Sequence, residues 1–285
     1  MTDAHIDSLV STEWLSARLG APDIRIVDAS WYLPAANRDP KAEYAAAHIP
    51  GAVFFDIDDI SDTASPLPHM LPPDAKFASR MKRLGIGDGS RVVVYDGGVP
   101  TLGAARVWWM LRVFGHADVA ILDGGFRKWQ AEGRPVDDMP PVPRERHFTA
   151  HTNTLQVRDR ERVEAARTSG NAQIVDARPP GRFKGVEAEP RAGLRAGRIP
   201  GSLNVPAGAV VDPASGTFLS PDKLRTIVTS AGIDMAKPVI TTCGSGISAC
   251  TVAFALHLLG HRHVSVYDGS WAEWGALPDA AVATG

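Results

Sequence analysis

Cysteine is scarce in this chain: Cys243 and Cys250 are the only two among 285 residues. Two thiols make no disulfide framework, and without further cysteines they make no zinc site of the usual spacing. With a helix running through most of the interval, their Cα atoms fall on the order of 10 Å apart, beyond disulfide reach. Long apolar runs are lacking as well, and none approaches the roughly 20 residues of a membrane span. The start, Met1-Thr-Asp-Ala-His-Ile-Asp, carries acids where a secretory leader carries bases, so the cytoplasm is the expected compartment. There is no large excess of charge of either sign. A net charge of −2, with 22% charged residues, argues against a nucleic-acid-binding surface. What remains is a chain with 44% hydrophobic residues, enough for a buried core and long enough for two domains.

The chain repeats itself. Asp23-Ile-Arg-Ile-Val-Asp-Ala29 reads as a strand ending at Asp28, and Ala172-Gln-Ile-Val-Asp-Ala-Arg178 reads as one ending at Asp176. His48-Ile-Pro-Gly follows the first, and Arg198-Ile-Pro-Gly follows the second. Ser90-Arg-Val-Val-Val-Tyr-Asp96 matches Lys237-Pro-Val-Ile-Thr-Thr-Cys243, and a long apolar helical stretch comes after each. Then Ile121-Leu-Asp-Gly-Gly-Phe126 corresponds to Val266-Tyr-Asp-Gly-Ser-Trp271. The spacing between paired positions stays near 147, which implies tandem duplication of one domain. Short β-branched runs alternating with helical stretches predict an α/β fold, each copy a parallel sheet with helices on both faces. The expected boundaries are an N-terminal domain over 1–138, a linker over 139–155 and a C-terminal domain over 156–285. The linker begins in the proline-rich, charged stretch 138–146.

Strand-end loops of such sheets commonly carry the active site, and Asp96 and Cys243 occupy that position in the two copies. A lone cysteine at the end of a buried strand is more often inert core, as expected for Cys250. Around Cys243, however, the loop Cys243-Gly-Ser-Gly-Ile-Ser248 offers glycines and serines, which pack a core poorly but let backbone amides wrap an anion. With a helix starting there, the thiol is expected to be partly thiolate and nucleophilic. The first copy, with Asp96 and a longer, proline-containing loop, is expected to be catalytically silent.

These residues resemble the two-domain rhodanese-like sulfurtransferases over nearly the whole chain. Tyr44-Ala-Ala-Ala-His-Ile-Pro-Gly-Ala52 is similar to the family's N-terminal signature, and Val264-Ser-Val-Tyr-Asp-Gly-Ser-Trp-Ala-Glu-Trp274 to its C-terminal one. The loop resembles the Cys-Gly-Ser-Gly-Val-Thr loop of members that use 3-mercaptopyruvate. It differs from the Cys-Arg-Lys-Gly-Val-Thr loop of those that use thiosulfate, and it departs from both at Ile247-Ser248, which keeps a hydroxyl but loses a methyl. The resemblance implies catalysis by Cys243, assisted by Ser245, His69 and Asp58. It implies a binding set of Arg182, Arg191, Gly244, Gly246, Ile247 and Ser248, with the two arginines on the donor's carboxylate and keto oxygens. Without the family, both arginines read as solvated loop residues, His69 as a surface histidine and Asp58 as a helix cap. His48 reads as structural, since Arg198 stands at its place in the second copy.

The implied reaction moves sulfur from 3-mercaptopyruvate through a Cys243 persulfide to a thiol such as thioredoxin, or to cyanide, releasing pyruvate. No metal or organic cofactor, nucleic acid or membrane is expected. The alternatives are a thiosulfate:cyanide sulfurtransferase and a non-catalytic sulfur-carrying module. Cysteine phosphatases use a similar cradle but need an arginine in the loop, and 243–249 contains none.

Overall fold

The computed structural model describes residues 7–285; the acidic start of the chain lies, up to residue 6, outside the described residues. The chain forms two compact units. The first runs to Ser61 and includes Pro72–Asn153 and Asp212–Phe218; the second comprises Asp62–Leu71, Thr154–Val211 and Leu219–Gly285. Each therefore contains one short segment that comes, in sequence, from amid the residues of the other.

The first unit holds a five-stranded sheet of β1 (Leu9–Val10), β2 (Ile24–Asp28), β3 (Val53–Phe54), β4 (Arg91–Tyr95) and β5 (Val119–Leu122), in the order β1-β5-β4-β2-β3. The second holds β6 (Val157–Arg158), β7 (Gln173–Asp176), β8 (Leu203–Asn204), β9 (Val239–Thr242) and β10 (Val264–Tyr267), in the order β6-β10-β9-β7-β8. Adding five to each strand number converts one order into the other, as duplication requires. All these pairings are parallel. Helices flank both sheets, so the central strands are covered on both faces and their sequences show no polar alternation: Val92 to Tyr95 in β4 and all of β9 are buried.

The core of the first unit gathers Ile26, Val93, Tyr95 and Trp129; that of the second gathers Ile174, Ile240, Tyr267, Trp271 and Trp274. Each large side chain removed from water contributes roughly 1.5–3 kcal/mol. The tryptophans anchor short helices against the sheets: Trp129 Nε1 donates to Pro135 O at 2.7 Å and Trp274 Nε1 to Ala281 O at 2.8 Å. β2 and β7 end at the predicted aspartates, each of which accepts an amide two residues on, Ser30 N at 2.8 Å and Arg178 N at 2.9 Å. These turns release the chain at the carboxyl ends of the sheets, where the loops carrying Asp96 and Cys243 also emerge.

Candidate active site

β9 ends at Thr242 and the chain turns at once into the helix Ile247–Leu258, with Gly246 at its N-cap in the left-handed region (φ 77°). The intervening loop is fixed from the side of the helix Ser270–Trp274. Cys243 N donates to Ser270 Oγ at 3.2 Å, Cys243 O accepts from Trp271 N at 2.9 Å, and Gly244 O accepts from Ala272 N at 2.9 Å. With two loop carbonyls so engaged, the first-turn amides of Ile247, Ser248 and Ala249 remain without an intrahelical acceptor, as at any helix start. The positive end of the helix dipole lies at the same place. Cys243 is only 2% exposed and Ser245 only 6%. Cys250 is fully buried, its thiol donating to Gly246 O at 3.2 Å, and the two cysteines are unbridged.

Both arginines singled out from the sequence converge on this loop. A methyl group built on Gly244 would lie 3.1 Å from Arg182 Nη2 and 3.7 Å from Arg191 Nη1. Arg182 is not a free surface side chain: its Nε sits 3.2 Å from both oxygens of Glu189. Glu189 also accepts from Arg178 Nη1 at 2.7 Å, and Arg178 Nη2 reaches Asp176 at 2.6 Å. Arg178 and Glu189 are both about 1% exposed at their side chains. Burial pulls the Arg178 guanidinium down, but Asp176 and Glu189 more than offset it and hold the group above its ordinary value. Its Cζ also stands 4.3 Å over the Trp271 ring. Sequence reasoning misses Arg178, Glu189, Asp268 and Ser270. The Asp-Gly-Ser-Trp signature contains the last two, but nothing in the stretch Glu187-Ala-Glu-Pro190 marks Glu189 as buried.

His69 belongs to the second unit by way of the segment Asp62–Leu71, and its Nδ1 lies 3.0 Å from Ser245 Oγ. The segment is pinned where Leu71 N donates to Asp268 Oδ2 at 2.7 Å. The first unit reproduces this contact, 147 positions on from Leu71 in sequence, where Phe218 N donates to Asp123 Oδ1 at 2.8 Å. Asp58 lies in the first unit, where its carboxylate accepts from Trp31 Nε1 at 3.3 Å. The second unit thus brings Cys243, Ser245, His69, Arg182 and Arg191 together around one loop.

Two residues there adopt left-handed backbone although neither is glycine: His69 (φ 60°) and Ser270 (φ 51°). Glycine holds the equivalent positions in the first unit, Gly216 (φ 75°) and Gly125 (φ 56°). Such strain persists where something else over-determines it and clusters at functional sites. The first copy offers a further contrast. Asp96 points its own carboxylate into the loop, accepting from Ala104 N at 3.0 Å and Gly98 N at 3.3 Å, and so fills the cradle from within. Burial, only partly opposed by those amides, pushes it up to about 7. His48 is wholly buried, with Nδ1 2.8 Å from Tyr44 O and its ring stacked on Tyr44, as expected of a structural residue.

Rhodanese-like domains match residues 11–132 and 159–277. Human 3-mercaptopyruvate sulfurtransferase is 41% identical over 285 residues, covering 98% of this chain and 96% of the relative. Rat thiosulfate sulfurtransferase is 44% identical over 286 residues with the same coverage, so overall identity does not separate the two sulfur donors. Among solved structures, SseA from Escherichia coli, described as a 3-mercaptopyruvate sulfotransferase, superposes with a TM-score of 0.85 at 40% identity, covering 94% of this chain and all of that one. Tum1 from Saccharomyces cerevisiae gives a TM-score of 0.89 at 32% identity, covering 97% and 98%. The chain belongs to the rhodanese-like family, as a two-domain enzyme of the sulfurtransferase class.

Proposed function

We propose that the protein transfers sulfur from 3-mercaptopyruvate to a thiol or cyanide by way of a persulfide on Cys243. The observation that carries this reading is the position of Arg182 and Arg191 over Gly244, beside a loop that contains no cation of its own. Thiosulfate is a compact dianion whose charge lies next to the sulfur to be transferred, so it calls for cations inside the loop. Mercaptopyruvate carries a single carboxylate at the far end of a three-carbon skeleton. Guanidinium groups set back from the sulfur suit that shape, because their planar forks match carboxylate and keto oxygens.

In the first half-reaction the Cys243 sulfur attacks the donor sulfur. The carbon–sulfur bond breaks, its electron pair passes to carbon, and pyruvate leaves as an enolate that takes a proton. Ser245, with His69 on its hydroxyl and Asp58 as the remaining member of the proposed relay, supplies that proton. The terminal sulfur left on Cys243 is anionic and is stabilised by the Gly244, Gly246, Ile247 and Ser248 main chain at the helix start. It also stands about 2 Å further out than the cysteine sulfur, which lets an acceptor reach a site whose own residue is 2% exposed. In the second half-reaction cyanide takes the sulfur as thiocyanate. A dithiol acceptor such as thioredoxin instead becomes a disulfide and releases sulfide. The first domain, near 1–138, is catalytically silent in this scheme because Asp96 stands in place of the nucleophile. The catalytic domain is 156–285, with 139–155 joining the two.

We place the reaction in the cytoplasm. No helix among the described residues is long and apolar enough to cross a membrane. A mitochondrial name on an Arabidopsis relative, 40% identical over 302 residues, is the observation that opposes a cytoplasmic location. The rat thiosulfate sulfurtransferase keeps thiosulfate as the second reading of the donor. Steady-state kinetics with both donors and cyanide decides between them. Mercaptopyruvate is expected to lead in kcat/KM by at least about 10-fold, or roughly 1.4 kcal/mol; a lead for thiosulfate would reverse the assignment.

A further inference from the structure

In the first unit, at the amino-terminal ends of its strands, a cavity of about 330 Å³ opens where β2 and β3 begin and the turn before β4 passes. Its floor includes Ile24 and Leu84, and its cations are Arg18, Arg25, Arg144 and Arg146; among the described residues no acid lines it. In a chain of net charge −2, four guanidinium groups around one hollow are a marked local excess.

Arg18 and Arg25 are positioned by carbonyls, not carboxylates. Arg18 donates to Trp14 O at 3.1 Å and stacks on the Trp14 ring, while Arg25 donates to Gly85 O at 3.1 Å and to Ile24 O at 2.7 Å. Among the described residues, Arg144 and Arg146 have no carboxylate partner. The nearest acids in sequence are engaged elsewhere: Asp23 lies 3.6 Å from Arg91, and Glu145 lies 3.2 Å from Lys82. Burial first, and then the Arg146 guanidinium, hold Arg25 below its ordinary value, with Asp23 opposing.

The wall is built, not incidental. The stretch 143–146 is strapped onto the turn before β4 so closely that a methyl group on Gly85 would meet Arg144 O at 3.0 Å, and one on Gly87 would meet His147 O at 2.8 Å and Arg146 Cβ at 2.9 Å. Nor does the fold itself require Arg18 and Arg25. At the repeat spacing that links Asp28 to Asp176, the second unit has Ala166 for Arg18 and Gln173 for Arg25.

We propose that this cavity binds a multiply charged phosphoryl oxyanion, either pyrophosphate itself or a phosphate ester whose apolar portion rests on the Ile24–Leu84 floor. Guanidinium forks recognise such groups bidentately, and gathering like charges around one cavity costs free energy that a polyanion offsets. Titration calorimetry of the whole protein with inorganic pyrophosphate tests it. One saturable site is expected, with Kd on the order of 10–100 μM at low salt and weaker at high salt. The double variant Arg144→Gln, Arg146→Gln should bind at least about 10-fold more weakly while keeping full sulfur transfer. The variant Arg225→Gln, exposed on the helix Pro221–Ser230 of the second unit, should bind as the unaltered protein does. Absence of saturable binding, or undiminished binding by the double variant, would overturn the proposal. A phosphate monoester carrying an apolar group, titrated in parallel, distinguishes the two sources: tighter binding than pyrophosphate points to the ester, and weaker binding to pyrophosphate itself.

Discussion

His69 and Ser270 bear a backbone cost that glycine avoids at the matching positions of the other unit. For an L residue this left-handed backbone costs of order 1–3 kcal/mol. The side chains explain why it is tolerated: His69 reaches Ser245 Oγ, and Ser270 Oγ accepts the Cys243 amide. The two sides of the exchange should separate on substitution. His69→Gly should raise stability by about 1 kcal/mol in urea denaturation while lowering kcat with mercaptopyruvate roughly 100-fold, the usual loss of a general acid or base. A variant that is more stable and fully active would show that the imidazole takes no part. Glu189 makes a different prediction, because it holds Arg182 on one side and Arg178 on the other. Glu189→Gln removes one charge from a buried network and should cost about 3 kcal/mol. It should also raise KM for mercaptopyruvate more than it lowers kcat, since Arg182 loses its anchor but the nucleophile is untouched. A fall in kcat alone would place Glu189 elsewhere in the mechanism. Glu189 is not legible in the sequence, because its burial depends on Arg178 and Arg182 closing around it and not on any local period. Cys243, Arg182 and Arg191 are legible, through the loop composition in one case and the family's motif positions in the other two.

The two strand–loop–helix elements differ in what occupies the cradle. In β9 and the helix after it no carboxylate stands in the loop; in β4 and the helix Gly103–Val113 the cradle is closed by the chain's own carboxylate. That closure gives a pH signature. The unfolded chain loses the Asp96 proton above about pH 4, whereas burial lets the folded chain keep it up to about 7. Between those values the unfolded state binds fewer protons, so this group makes stability fall as pH rises. Asp96→Asn cannot titrate, and its stability should decline less than that of the unaltered protein between about pH 4 and 7, as read by urea denaturation. Equal declines in the two proteins would mean that Asp96 is ionised throughout. At this scale the sequence is informative. The strands end at Asp28 and Asp176 as their β-branched runs imply, and the long apolar run after Cys243 is the helix Ile247–Leu258. Ser270 escapes notice because a positive φ at serine leaves no mark in composition.

Over the whole molecule, duplication explains most of what is seen. The two sheets share one strand order, and the aspartates after β5 and β10 each accept an amide from a segment distant in sequence. The repeat spacing exposes the two copies and their matched elements. It does not disclose that Asp62–Leu71 belongs with the second unit and Asp212–Phe218 with the first, because such membership rests on contacts between residues far apart in the chain. That arrangement is what brings His69 to Ser245, so truncation at the boundary suggested by sequence would separate a proposed proton carrier from the unit that holds Cys243. In the intact chain, Asp268→Asn should loosen the Leu71 contact and lower kcat with Cys243 itself unaltered. The resting place of the transferred sulfur is the most direct test of the proposed mechanism. Incubating the protein with 3-mercaptopyruvate and no acceptor, then measuring peptide masses, should find one added sulfur atom on the peptide containing Cys243, removable by cyanide and absent in Cys243→Ser. Pyruvate released with Cys243 unmodified, or comparable turnover by Cys243→Ser, would contradict it.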